Sequence, residues 1–467
     1  TTNCFYTVDM FDLWGDGWNG GLLTILEDGV QVFQIQAFGS STTETIPIAN
    51  GSLLQLSYSS GQWENENSYV LNDPSGTPIF SDGPNPATGI VFSTTATCGF
   101  TDPISGEIVM ERYIDAGETY WRYFGSAVQG ADLAQFNDDF VTAGYPGSAF
   151  PNFGWVSAYN YNEVLPPGQG YLETTGATQV MGVGEGWQIW CGDTITGTQP
   201  FTFDLRGVPN QGDINLPVTY TNYGSPAEDG FNLVCNPYPS TIDWDDPDWT
   251  KTNMANAIYI QNPDNQQYAT YVAGASTNGG SRYIASQQSF WVQAFAANPV
   301  LTAREGVKAN NDQAFFKNGN TVSPGMTIRI QGNEDFDEAV LRHLDMATEE
   351  FEHAYDANKM WGGWGEYPQL SLINNEAKDL TVHSFNKGNQ EWSIPLRAIV
   401  FEDGVYNIEF EHLGELDVPC LQLEDLYTGN VYMIEEGVSL PFEMSDTTYA
   451  PRFMLHLGRT YSSEIVS

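Results

Sequence analysis

The stretch Asn232-Leu-Val-Cys-Asn-Pro-Tyr-Pro-Ser-Thr-Ile-Asp-Trp244, near the middle of the chain, decides the fold. Its first residues are mostly apolar, which is typical of a short buried strand. Pro237 and Pro239 cannot extend a helix or donate to a strand ladder, so we expect the strand to end in a stiff, extended corner. Tyr238 and Trp244 flank this corner, and we expect both rings to be buried because the neighbouring residues are too polar to form a core without them. Such a corner joins sheets.

The composition predicts an all-β protein. The chain has 47 glycines and 13% aromatic residues, and Thr, Asn and Ser are frequent. This mixture favours many short strands and turns over helices. No apolar run approaches the length of about 18 residues that a transmembrane helix requires, so we expect no membrane insertion.

Length and pattern together predict three β-sandwich or jelly-roll-like domains in series, at residues 1–100, 101–310 and 311–467. The first contains segments in which apolar and polar residues alternate, and turns separate these segments. This pattern is typical of a β-sandwich. The second contains the central corner. The third again contains strand-like segments, interrupted by residues 346–360, where the apolar spacing is loosely helical.

The net charge argues against strongly anionic partners. The chain has 16 Lys and Arg residues against 59 Asp and Glu residues, which gives a formal charge of −43. A nucleic acid or an anionic membrane would repel such a surface. The first basic residue is Arg112, so the acidic residues before it have no basic partner in their own segment. Either they serve solubility in salty water or they bind divalent cations.

The five cysteines allow two disulfide bonds and one remaining thiol. Cys4 and Cys98 bracket the first domain, and we expect a bond between them to tie its first strand to its last. Cys191 and Cys235 lie in the second domain and are a second candidate pair. Cys420 alternates with apolar neighbours and is expected to pack as a small hydrophobic residue. Disulfide bonds predict an extracellular location.

A glycine-rich segment in the first domain, Asp12-Leu-Trp-Gly-Asp-Gly-Trp-Asn-Gly-Gly21, predicts a tight loop. We expect Trp14 and Trp18 to anchor this loop. Four closely spaced glycines permit the backbone to turn carboxylates and carbonyl groups inward.

Five side chains in this domain are candidate ligands for a metal: Asp12, Asp16, Asn19, Glu64 and Glu66. All offer hard oxygen donors, and calcium is the natural ion for such a set. The alternative is a turn in which the Asp and Asn side chains bond only to nearby backbone amides.

The first domain resembles the jelly-roll, CUB-like module of secreted proteins from Bacteroidota. The resemblance is carried by the Cys4 to Cys98 frame and by three segments: Gly15-Asp-Gly-Trp-Asn-Gly20, Gly61-Gln-Trp-Glu-Asn-Glu66 and Asp73-Pro-Ser-Gly76.

The rest of the chain resembles the C-terminal half of large Bacteroidota surface proteins exported by the type IX secretion system. This likeness rests on the central corner and on Gln288-Ser-Phe-Trp-Val292, Asp335-Phe-Asp-Glu-Ala-Val340, Tyr355-Asp-Ala-Asn-Lys-Met360, Leu423-Glu-Asp-Leu426 and Arg452-Phe-Met-Leu-His-Leu457. It implies a surface location. In that family a sorting domain usually follows the last of these strands; either it has been cleaved or the chain is a piece of a longer polypeptide.

No pattern indicates catalysis. The five histidines all lie in the last third of the chain and have no Ser or Cys elbow beside them. Four carboxylates crowd the segment after the corner, and we expect solvent to separate them: Asp243, Asp245, Asp246 and Asp248. We therefore expect a protein that is not an enzyme.

Aromatic residues leave one alternative open. Some Trp rings could stack on sugar faces, although Trp more often fills a sandwich core. The candidates are Trp63, Trp187, Trp190, Trp361 and Trp364.

The sequence therefore predicts a secreted, cell-surface structural protein or adhesin. It could be a subunit or the terminal part of a surface fibre, and it could form a homo-oligomer. Its expected partners are other surface subunits or the surface of a host, prey or substrate. The alternative is an array of carbohydrate-binding modules that accompanies polysaccharide degradation and binds a glycan.

Overall fold

The computed structural model describes residues 3–74, 76–98, 104–114, 120–191, 200–225, 227–263, 267–311, 324–332, 335–348, 350–362, 367–386, 391–416, 418, 420–445 and 450–458. In this part of the chain the regular structure is β-strand with a few short 3-10 turns, which confirms the all-β prediction. The turns are Glu64–Glu66, Leu133–Phe136, Glu305–Val307 and Leu413–Leu416. None of the helical turns described is long and apolar enough to cross a membrane.

The chain divides into two compact units. The first comprises Thr1–Ser105 with the short pieces Asp246–Asp248 and Arg304–Val307, and the second comprises the remainder.

The first unit is a β-sandwich of two antiparallel four-stranded sheets, with strand orders β4-β1-β6-β7 and β3-β2-β5-β8. Alternate residues of β1 are buried, as a strand with one face on a core requires. The strands are β1 Asn3–Asp12, β2 Leu22–Glu27, β3 Val30–Ile35, β4 Ser41–Ala49, β5 Leu53–Ser59, β6 Asn67–Asn72, β7 Pro78–Asp82 and β8 Gly89–Thr95.

The disulfide bond between Cys4 and Cys98 is present, as predicted, and joins residues 94 positions apart. Cys4 lies at the start of β1 and is buried in the core of the sandwich, whereas Cys98 follows β8. The bond therefore closes the sandwich at its two chain ends.

Reduction of this bond is expected to lower the free energy of unfolding of the first unit by about 2–4 kcal/mol, because the unfolded chain regains the entropy of a long open loop. Urea unfolding followed by tryptophan fluorescence, with and without reductant, measures the change. A Cys4→Ser, Cys98→Ser variant should no longer respond to reductant. Equal stability of the oxidised and reduced wild type would contradict the expectation.

In the first part of the second unit, small antiparallel sheets surround the central corner. The sheet that contains the corner strand has the order β17-β24-β20-β21-β22. The strands are β9 Ile108–Ile114, β10 Tyr120–Phe124, β11 Val128–Gln129, β12 Ala158–Tyr161, β13 Tyr171–Glu173, β14 Trp187–Cys191, β15 Phe201–Pro209, β16 Ile214–Asn215, β17 Phe231–Cys235, β18 Ile242–Asp243, β19 Thr250–Thr252, β20 Met254–Gln261, β21 Tyr268–Val272, β22 Ala275–Thr277, β23 Tyr283–Ile284, β24 Ser289–Ala294 and β25 Val300–Ala303.

The second part is one large sheet of order β34-β33-β36-β31-β29-β30-β27-β26-β32-β35, with β28 paired to β30. Its pairs are antiparallel except β27 with β30. The strands are β26 Met326–Gln331, β27 Phe336–His343, β28 Ala357–Asn358, β29 Gln369–Ile373, β30 Asp379–Phe385, β31 Trp392–Ile399, β32 Gly404–Glu411, β33 Leu421–Asp425, β34 Val431–Met433, β35 Ser439–Met444 and β36 Phe453–Leu457.

Residues from both sides of position 310 share one hydrophobic cluster. Tyr259 and Trp291 from the first part pack with Val340 and Val382 from the second. A domain boundary near residue 310 therefore stays a prediction, while both parts belong to one compact unit.

The central corner has the predicted form. β17 is buried along its whole length and ends before Pro237, and Tyr238 and Trp244 are fully buried. The Asn236 side chain holds the corner: its amide nitrogen contacts the carbonyl oxygens of Ser240 (2.8 Å), Ile284 (3.1 Å) and Ala285 (3.0 Å). Its amide oxygen accepts from the Tyr238 backbone amide at 3.0 Å.

Replacing Asn236 with Ala is expected to destabilise the second unit by about 2–3 kcal/mol, because three buried carbonyl groups lose this side-chain donor and the Tyr238 amide loses its acceptor. Asn236→Asp should destabilise it as well, since a carboxylate would face the same carbonyl oxygens. Urea unfolding of both variants measures the effect. An Ala variant within about 0.5 kcal/mol of the wild type, the range of ordinary surface substitutions, would refute the role of this side chain.

Two predictions for the second unit are wrong. Cys191 and Cys235 are both buried thiols and do not form a disulfide bond. The Cys235 amide donates to Gly184, and Cys191 lies seven residues further along an extended segment, on the order of 20 Å away and beyond the reach of a disulfide.

The described residues between 346 and 360 do not form a helix; they make turns and then the short strand β28. The Asp356 carboxylate accepts from the amides of Glu352 (2.9 Å) and Ser384 (2.6 Å). These bonds hold the segment against the neighbouring strand and compete with helical hydrogen bonding.

Candidate metal centre

Three loops meet at one end of the first sandwich and are joined by backbone hydrogen bonds: residues 13–21, 36–40 and 60–66. The Leu13 amide donates to the Glu66 carbonyl group at 3.1 Å, and the Trp18 amide donates to Ala37 at 3.3 Å. The loop predicted from the glycine-rich segment is therefore packed against two others.

Glycine is required where these loops approach most closely. Gly17 has a φ of +90°, and a Cβ there would lie 2.9 Å from the Ala37 carbonyl oxygen. A Cβ at Gly61 would lie 2.2 Å from the amide nitrogen of Gly21. A side chain at either position would force the loops apart.

Of the two tryptophans expected to anchor the loop, only Trp18 does so. Its ring is buried against Tyr58, with centroids 5.5 Å apart, and its indole nitrogen donates to the Phe11 carbonyl group at 2.9 Å. Trp14 is 77% exposed, as is Leu13 beside it. The expectation for Trp14 was wrong because the loop turns its first half outward.

Three carboxylates meet at the base of the loop. Asp12, Asp16 and Glu66 each place an oxygen atom within 4.8 Å of the others. Asp12 is buried at the end of β1, and its Oδ1 accepts from the backbone amides of Gly15 (2.5 Å) and Asp16 (3.1 Å). Its buried Oδ2 has no hydrogen-bond donor among the described residues. A buried carboxylate oxygen without a donor is costly unless a cation or water meets it.

The electrostatics of this group favour a cation. Desolvation, with the nearby charges of Asp12 and Asp16, raises the pKa of Glu66. Crowded carboxylates repel one another, and a divalent cation removes that repulsion. Hard oxygen donors of this kind suit calcium or magnesium, with waters or carbonyl groups to complete the shell. These three residues would hold the ion.

The other two predicted ligands, Asn19 and Glu64, form hydrogen bonds within the same loops. Asn19 supports Asp16, because its amide nitrogen contacts Asp16 Oδ1 at 3.2 Å and donates to the Gly17 carbonyl group at 2.8 Å. Glu64 does not join the three carboxylates: it accepts from the Tyr58 hydroxyl at 2.9 Å and from the Gly61 amide. Glu64 and Glu66 share one 3-10 turn, where residues two apart point in different directions.

Two of the four carboxylates after the corner, those of Asp243 and Asp245, share a protein cation. Arg282 bonds both oxygens of Asp243 at 2.6 Å and lies 3.6 Å from Asp245. The Tyr271 hydroxyl donates to Asp245. Arg282 is distant in sequence, so the pairing appears only when β18 and β23 align.

Sequence reasoning also missed a row of polar side chains on the large sheet. Ser393 Oγ lies 2.9 Å from His456 Nδ1, and His456 Nε2 lies 2.9 Å from Glu424. The residues come together because β31, β36 and β33 are neighbours. Ser393 lies within an extended strand, not on the tight strand-to-helix turn that presents the nucleophilic serine of α/β-hydrolases.

The candidate sugar-stacking rings differ in exposure. Trp63 is 63% exposed, Trp361 is partly exposed, and Trp187 is fully buried. Trp190 is half-buried and packs edge-on against Trp121. Trp364 lies outside the described residues.

Comparison with known proteins gives one match. The family described as "Domain of unknown function (DUF8693)" matches residues 102–457. The chain belongs to this family. The DUF8693 match contains every strand from β9 to β36, whereas the sandwich with the carboxylate group precedes it. No curated protein and no solved structure matches the chain.

Proposed function

We propose that the protein is a secreted, cell-surface adhesin or fibre component that contacts its target through the loop end of the first unit. The observation that carries this proposal is the exposure of Leu13 and Trp14 directly beside the three carboxylates. Phe38 and Trp63, on the two adjoining loops, are 69% and 63% exposed. Large apolar side chains grouped on one surface mark an interaction site more often than isolated ones do.

Calcium is the proposed organiser of this surface. Leu13 and Trp14 lie between Asp12 and Asp16, so an ion held by those two carboxylates and Glu66 would fix the backbone that presents them. A loop held in one conformation before binding loses less entropy when a partner docks.

The net charge, the disulfide bond and the family resemblance support the proposed extracellular location. A disulfide-bonded domain suits an oxidising, extracellular location. The acidic charge disfavours nucleic acid and supports solubility in salt water. The likeness to type IX-exported proteins of Bacteroidota points to the cell surface, where the partner would be another subunit, a second copy of this protein or a foreign surface.

Calcium is expected to stabilise the first unit of the intact chain, by about 2.7 kcal/mol when its concentration is 100 times Kd. Thermal unfolding in calcium and in chelator measures this, with calorimetric titration to give the stoichiometry. Asp16→Asn and Glu66→Gln should lose the effect. Glu44→Gln, which removes an exposed charge from β4, should keep it. Coinciding curves for the wild type in calcium and chelator would rule out the ion.

The second candidate function, glycan binding, is favoured by the exposed indole rings of Trp14 and Trp63. If the first unit binds a sugar, Trp14→Ala and Trp63→Ala should each weaken binding to a responsive glycan about tenfold or more. Phe150→Ala removes an exposed ring from the second unit and is the control. A panel of algal and bacterial glycans without a responsive member would favour the adhesin that binds protein.

A further inference from the structure

A lysine, an aspartate and an asparagine form a closed polar group in the interior of the second unit. Asp337 lies on β27, Lys359 directly follows β28, and Asn278 directly follows β22. All three residues are at least nine-tenths buried, and the side chains of Asp337 and Lys359 are almost wholly so. This group lies within the family match and has no part in the adhesion proposal.

One carboxylate bridges the other two side chains. Asp337 Oδ2 accepts from Lys359 Nζ, and Asp337 Oδ1 accepts from the Asn278 amide nitrogen at 2.9 Å. The Leu370 backbone amide also donates to Oδ2, at 2.7 Å. The carboxylate therefore holds the lysine amine and the asparagine carboxamide on its two oxygens and is itself fixed by the backbone.

The group is buried beside an apolar cluster. The backbone oxygen of Tyr268 accepts a second bond from the Asn278 amide nitrogen, at 3.1 Å. Tyr268 and Met360, which follows Lys359, pack against the hydrophobic cluster that contains Val340 and Val382. Water is largely excluded from a site of this kind.

For an ordinary buried ion pair, this group has too few hydrogen-bond partners. Among the described residues, Asp337 is the one hydrogen-bond partner of the Lys359 ammonium, which has three protons to donate. The Asn278 amide oxygen is buried without a donor in the same part of the chain. Buried ion pairs are stable only when their remaining protons and lone pairs are paired.

We propose that Lys359 and Asn278 form an intramolecular isopeptide bond, with Asp337 as the catalytic residue. Asp337 accepts a proton from the ammonium group, and the neutral Nζ attacks Cγ of Asn278. The Nζ–Cγ bond forms, the Cγ–Nδ2 bond breaks, and Nδ2 leaves as ammonia.

Asp337 relays the protons in this reaction. The attacking nitrogen loses one further proton, which the leaving nitrogen gains, and the released ammonia then takes the first proton from Asp337 and departs as ammonium. The carboxylate therefore ends as it began, and no oxidant or cofactor is needed. Attack requires Nζ to come within about 3–3.5 Å of Cγ, a movement that the flexible lysine stem permits. The product contains no buried ammonium, and it joins the two parts of the second unit covalently.

A second lysine and asparagine in the same unit provide a matched comparison. Lys251 Nζ lies 3.1 Å from Asn256 Oδ1 and donates to the Trp244 carbonyl group at 2.8 Å. The two side chains touch directly, but no carboxylate bridges them among the described residues. We expect no bond there, because no carboxylate among the described residues is hydrogen-bonded to both the amine and the carboxamide.

The test is the mass of the reduced, denatured full chain. It should be about 17 Da below the mass calculated from the sequence, the loss of one ammonia. In a tryptic digest, peptide 252–282 should be joined to peptide 343–378 through Lys359. Lys359→Met and Asp337→Asn should each restore the calculated mass, and Lys251→Met should keep the loss.

A wild-type chain at its calculated mass overturns the proposal, whatever the variants do and whether or not they fold. A loss of ammonia that persists in Lys359→Met overturns it as well. A bond that persists in Asp337→Asn would show that the carboxylate is not the catalytic group. These outcomes are independent of the calcium measurement, so either proposal can fail alone.

Discussion

The second unit depends on the hydrogen bonds of one buried amide, that of Asn236. Pro237 and Pro239 follow β17 and have no N–H groups with which to continue a strand ladder. Asn236 reaches across to the segment before β24 and also accepts from the chain beyond the first proline. Buried backbone groups must be paired, so this one side chain fixes the angle at which the corner leaves its sheet. Tyr238 completes the arrangement, with its hydroxyl 2.9 Å from the Ala303 carbonyl oxygen.

The first unit follows a different constraint, because its acidic side chains have no basic residue in their own segment. Most of its carboxylates lie at the surface or bond to hydroxyl and amide groups. Asp12, Asp16 and Glu66 instead face one another. The fold brings them together because β1 and β6 pair, with Asp12 opposite Asn67, immediately after Glu66. A divalent cation is the simplest means of relieving the repulsion, and it would act at the root of the most exposed apolar residues.

The sequence was sufficient for features that depend on local pattern. Alternation and turn residues predicted the all-β class, the prolines predicted the corner, and the position of Cys4 and Cys98 at the ends of one domain predicted their bond. Features that depend on the alignment of distant strands were not accessible. The predicted bond between Cys191 and Cys235 was wrong, because the two cysteines lie in the same domain but not next to each other.

In the candidate sites, too, local features could be predicted from the sequence and long-range contacts could not. The loop with Asp12 and Asp16 could be found from its glycines, but the outward direction of Trp14 and the inward bonds of Glu64 depend on how three loops pack. The group of Asn278, Asp337 and Lys359 has no sequence signature, since its members come from three separate elements. Only the register of those elements places an amine and a carboxamide on one carboxylate.

The most direct test of the account is a crystal structure of the intact chain grown in calcium, with anomalous scattering used to locate the ion. We expect an anomalous peak at about 2.3–2.6 Å from oxygens of Asp12, Asp16 and Glu66, with Leu13 and Trp14 ordered above it. No peak at that position, with the three carboxylates hydrogen-bonded only to water, would contradict the central claim that a metal organises the binding surface.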